Sequence, residues 1–108
     1  MSDDSPPTIE HTAMDDLAEH DRAVAFESYP PRIVQLRLHA GESVPPHDHP
    51  GSVVVFHVLE GAVELTIDEE TVVVETGDLV RFSGDHTVSP RAIRDSTALV
   101  TLVPLLTD

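Results

Sequence analysis

From Ala23 onward the apolar positions fall in short runs cut by turn residues, a pattern that predicts β-strands. Ile33–Leu38 alternates, with Leu36 and Leu38 set against Gln35 and Arg37. Val53–Leu59 is almost continuously apolar, as in a strand buried on both faces. Glu60-Gly61 predicts a tight turn into Ala62–Ile67, which alternates again. Asp68–Glu70 turns into Thr71–Glu75, and Thr76-Gly77-Asp78 leads into Leu79–Phe82. The last predicted strand is Thr97–Val103, closed by Pro104. Ala23–Ser28 is also strand-like, and Tyr29-Pro30-Pro31 breaks it. No amphipathic helix of useful length follows residue 22. Many short strands at this spacing predict an all-β, antiparallel sandwich or barrel.

The first 22 residues differ. They are polar and acidic, with Pro6-Pro7 and a stretch over Ala13–His20 suited to one or two helical turns. They predict an N-terminal arm, frayed or a short lead-in. Residues 23–108 then form one barrel domain, because 108 residues support a single core.

Charge narrows the partners. Acidic residues number 20 against six basic ones, all of them Arg, for a formal charge of −14. Such a field repels nucleic acid and anionic lipid, so neither is expected as a partner. The acids are spread along the chain, a composition like that of cytoplasmic proteins from extreme halophiles, where salt screens the self-repulsion. No apolar run reaches the length of a membrane span, and Met1–Pro7 lacks the apolar stretch of a signal peptide. A cytoplasmic location is therefore expected. Without cysteine, any metal would be held by His, Asp or Glu.

The candidate chemistry lies in Gly41-Glu-Ser-Val-Pro-Pro-His47-Asp-His49-Pro-Gly51. In an extended chain, residues two apart point to one face, so His47 and His49 can aim at one point. That arrangement suits a divalent metal.

These residues resemble the first motif of the cupin superfamily, with Gly41, His47, His49 and Gly61 in register. Gly77-Asp78-Leu79-Val80 is similar to the start of the second motif, and Ser83-Gly84-Asp85-His86 to a shortened form of its end. The resemblance spans roughly Ile33 to Val103. It implies a double-stranded β-helix, the antiparallel jelly-roll barrel, and a homodimer. It also implies His47, His49 and His86 as metal ligands. The family's glutamate is missing, because Val54 occupies its position. Three imidazoles would leave open coordination positions and accept Zn, Fe, Ni, Cu or Mn without choosing among them. A centre lacking a carboxylate keeps its full charge and would favour an anionic substrate.

Alternation from Val54 places Val54, Phe56 and Val58 on the lumen side and turns His57 away. Arg81 is a further candidate for the pocket wall. Asp48, Asp85, Glu42 and Glu60 are read as solvated acids, and His11, His20 and His39 as surface. Two functions follow. One is a small metal-dependent enzyme. The other is a non-enzymatic small-molecule binding or sensor module whose metal site has degraded.

Overall fold

The computed structural model describes residues 8–26 and 30–105. In chain order its elements are α1 (Met14–Leu17), β1 (Arg22–Val24), β2 (Arg32–Leu38), β3 (Ser52–Ile67), β4 (Glu70–Glu75), β5 (Leu79–Ser83) and β6 (Val88–Pro104). The pairings between these strands are all antiparallel. The end of the predicted strand over Ala23–Ser28 falls outside the described residues.

Two long strands form the spine. β3 and β6 pair along their length, from Ser52 opposite Pro104 to Ile67 opposite Val88. Each serves two partners, end to end, on its other edge. β3 carries β5 along 53–57 and β4 along 62–67. β6 carries β2 along 96–102. Along its first half it instead carries the segment 41–47, through bridges at Ser43 and His47.

The predicted turn at Glu60-Gly61 is not a turn. β3 runs straight through it, and the register against β6 slips between Val58 and Val63 instead. Gly61 sits at φ 101°, and a side chain there would overlap the Ser96 hydroxyl and the Asp95 carbonyl. Glycine supplies both the positive φ and the close approach, as a bulge requires. The buried Ser96 hydroxyl clamps it. It accepts from the Ala62 N–H at 3.0 Å and donates to the Arg94 carbonyl at 2.7 Å.

The bulge has a consequence for packing. Before it, Val54, Phe56 and Val58 are buried; after it, Val63 and Leu65 are. The irregular residues switch the inward phase from even to odd positions, so both halves of one strand face a single core. Val53, Val55 and Leu59 are only half-buried, so this strand is not sealed on both faces. The core cluster joins Phe56, Val58, Val63, Leu65, Val74, Val88 and Ala98. β6 begins at Val88 rather than at Thr97, which brings Val88, Pro90 and Ala92 into the interior.

The lead-in is docked. Leu17 is buried, and the Gln35 side chain, only 1% exposed, donates to the carbonyls of Leu17 (3.1 Å) and His20 (3.3 Å). The Arg37 guanidinium donates to the Ala18 carbonyl at the end of α1. β1 then pairs with β2, Arg22 opposite Leu36. The polar positions of β2, which alternation assigns to solvent, hold the arm in place. No helix among the described residues is long and apolar enough to cross a membrane.

Candidate functional site

His47 is placed by a ladder. Its N–H donates to the Val88 carbonyl at 3.1 Å, and its carbonyl accepts from the Val88 N–H at 2.8 Å. Its ring Nδ1 lies 2.9 Å from the Pro45 carbonyl. A carbonyl only accepts, so Nδ1 carries the proton and Nε2 the lone pair in the neutral ring. His49 is placed from the other side. Its N–H donates to the Gly84 carbonyl at 2.8 Å, and the Gly84 N–H donates to the Ser52 carbonyl at 2.7 Å. A side chain at Gly84 would overlap the His49 and Ser52 carbonyls, so the β5–β6 turn approaches only because residue 84 is glycine. The two rings meet edge to face, with centroids 4.9 Å apart.

Beside them opens a cavity of about 90 Å³. Its walls are Val34 and Leu36 of β2, Val44, Val54 and Phe56 of β3, Phe82 of β5, and Val88, Pro90, Val100 and Leu102 of β6. Its polar residues are Arg22, His47 and His49. Asp48 and Asp85 are exposed, and Asp85 accepts from the Gly51 N–H at 3.2 Å. Among the described residues, no carboxylate lines the cavity.

The His49 ring is held below the ordinary histidine range. Burial disfavours its charged form, and the neighbouring His47 adds to this, while Asp48 pulls the other way; Arg22 and Arg32 lower it further.

The structure places the expected site residues in different settings. Val54 and Phe56 line the cavity beside His47 and His49. Val58 shares their face but is sealed in the core, with no exposed surface. Arg81 is exposed on β5, opposite Val55, and does not line the cavity. His57 is half-buried and off the cavity wall.

His86 lies in a separate groove of the β3–β4 hairpin and β5, with Asp68, Glu69, Glu70 and Val72. Its Nδ1 is 2.6 Å from Asp68 Oδ2. Asp68, at φ 54°, also takes the Thr87 N–H at 3.0 Å. That bond first, and His86 second, hold its carboxyl below the usual range. As placed, the three histidines do not form one donor set. Among the described residues, no three or more His, Cys, Asp or Glu come together in a way that could hold a metal ion. The arrangement therefore does not fit a three-histidine centre.

Sequence reasoning missed Arg22, Val34, Val44 and the contribution of β6. The alternation of Val100 and Leu102 within an apolar run was a usable signal. Arg22 carried none, because only the docking of the arm brings it to the cavity.

Comparison with known proteins agrees with the barrel. The chain resembles the TT1209 protein of Thermus thermophilus (23% identity, TM-score 0.77, covering 91% of this chain and 100% of that one). It resembles KdgF from a Halomonas species (20%, 0.75, 90% and 96%). It also resembles an RmlC-like cupin protein of Desulfovibrio desulfuricans (25%, 0.71, 94% and 97%). No curated protein matches. The antiparallel fold is the double-stranded β-helix of these structures. The family model described as Cupin domain matches residues 34–103, so the chain belongs to the cupin family.

Proposed function

We propose that this protein is a small-molecule binding module whose site is the apolar cavity edged by His47, His49 and Arg22. One observation carries this reading: a largely apolar cavity whose polar lining is confined to Arg22, His47 and His49. That is the usual make-up of a ligand pocket. Among the described residues no general base is paired with a nucleophile there, so binding accounts for the site without a reaction. Methyl NMR of Val34, Val54, Val100 and Leu102 during titration with small fragments tests it. Binders should shift those methyls together; a library that moves none of them sinks the reading.

A divalent metal such as Zn, Fe, Ni, Cu or Mn on His47 and His49 is the second reading. It is favoured by the Pro45 carbonyl, which leaves the His47 Nε2 lone pair free for coordination. Two imidazoles are a smaller donor set than such sites use, and His86 is engaged with Asp68. Elemental analysis of untagged protein, beside His47→Ala/His49→Ala, separates the readings. Stoichiometric metal lost in the double variant would favour the metal centre, and with it a metal-dependent enzyme.

A homodimer in the cytoplasm of a salt-rich cell completes the proposal. It is supported by the family and by the formal charge of −14. Size-exclusion chromatography across a salt series tests the dimer.

A further inference from the structure

We propose that the cavity takes a small monocarboxylate with a short apolar tail, its carboxylate on Arg22 and His49 and its tail against Val54, Phe56 and Leu102. This rests on the binding-module reading and names the ligand class for it.

The first argument is charge. The chain carries 20 acidic residues, yet none of those described lines this cavity, while one of its six arginines does. Among the described residues, the Arg22 guanidinium has no hydrogen-bond or ion-pair partner. A planar guanidinium without a partner presents a fork that matches a carboxylate with two parallel N–H···O bonds. The His49 ring likewise has no hydrogen-bond partner among them and, when neutral, offers one N–H donor.

The second argument is the wall. Ten of the thirteen lining residues are apolar. A fully hydrated inorganic anion would lose water there without replacement. An anion with an apolar end loses water only at the end that meets Arg22. The third argument is size. About 90 Å³ lies well below the roughly 300–1,000 Å³ of drug-sized ligand pockets. The ligand buried in it has only a few non-hydrogen atoms.

The test uses the full chain in a high-salt buffer, with calorimetry and the Val54 and Leu102 methyl shifts as readouts. The probes are isobutyrate, its neutral counterpart isobutyramide, and inorganic phosphate. Isobutyrate should bind about tenfold more tightly than isobutyramide, the contribution of one charge-assisted pair. Arg22→Gln should erase that preference, weakening isobutyrate more than isobutyramide, whose carbonyl loses only an uncharged acceptor's hydrogen bond. Arg81→Gln removes the same charge outside the cavity and should keep the preference.

Equal binding of acid and amide, a preference that survives Arg22→Gln, or one lost equally in Arg81→Gln overturns the carboxylate class. Phosphate binding as tightly as isobutyrate overturns the role of the apolar wall. Each of these leaves the cavity a binding site. If neither isobutyrate nor isobutyramide moves the methyls, the binding-module reading falls as well.

Discussion

The histidines of the cavity and the histidine of the hairpin groove are neighbours with opposite surroundings. Phe82 lines both spaces and is the described residue they share. On one side, His47 and His49 face apolar walls and an arginine, with no carboxylate among the described lining. On the other, His86 is exposed and bound to Asp68 in a groove that also holds Glu69 and Glu70. The same side chain is thus left available in one place and occupied in the other. A histidine's spacing from its neighbours in sequence does not define its role; the groups that the fold brings to it do.

The largest test of this division is its shared wall. Phe82 is partly buried and packs on the core cluster. Phe82→Ala should cost about 2–3 kcal/mol, below the range of a fully buried phenylalanine. It should also join the two spaces, so that ligand shifts spread from Val54 to Val72. Denaturant unfolding and methyl spectra read both effects. A loss under about 0.5 kcal/mol would place Phe82 among ordinary surface positions.

Gln35→Ala acts on one side alone. It leaves the His20 carbonyl without the Gln35 amide and the Leu17 carbonyl with the His20 N–H alone, a cost of about 1–3 kcal/mol. Hydrogen exchange should quicken across β1 and the cavity should lose Arg22, while the Asp68–His86 pair stays intact. Unchanged protection at Arg22–Val24 would show that Gln35 does not hold the arm.

Asp68→Asn acts on the other side. The Asp68 carboxyl is depressed in the folded protein, so its contribution is present above the ordinary carboxylate value. It is lost as pH falls through the folded value. The variant should therefore flatten the stability curve below about pH 4, with its deficit fully present at neutral pH and shrinking as the parent's Asp68 protonates. Asparagine still offers an oxygen to the Thr87 N–H. Thermal melts across pH decide the point: a parallel shift at every pH would contradict it.

The smallest effect is the titration of His49. Its depressed value means that the unfolded chain takes up the proton first. Its contribution to stability is thus present above the ordinary value of 6.5 and lost as pH falls below it. Its ring protons should titrate below the ordinary value of 6.5, and Arg22→Gln should move the titration upward without restoring that value, because burial is the leading cause. His49 titrating at the ordinary value would mean that the cavity does not exclude water from the ring.

Much of the barrel was legible in the sequence. The alternation in Ile33–Leu38 and Ala62–Ile67 and the turn residues near Asp68 and Gly77 each correspond to observed elements. Gly61 was legible as punctuation but not as a bulge, because a positive φ suits both. The choice depends on whether the flanking strands keep one partner, here β6. The start of β6 at Val88 was hidden by Pro90 and by the charges at Arg91, Arg94 and Asp95, which interrupt the apolar pattern. In the site, the approach of His47 to His49 was foreseeable. The seat of His86 on Asp68 joins residues 18 apart through a hairpin, and no local pattern encodes that.

The sequence by itself determined the all-β class, the strand periodicity, the paired histidines and the valine at position 54. All of these are local, because they depend on side-chain chemistry and spacing within a few residues. The tertiary structure alone decided the phase switch at Gly61, the burial of Gln35, the arrival of Arg22 at the cavity and the separation of His86 from His47 and His49. Each of these depends on pairings between strands distant in the chain, where the energy of one contact is set by residues that no short window contains.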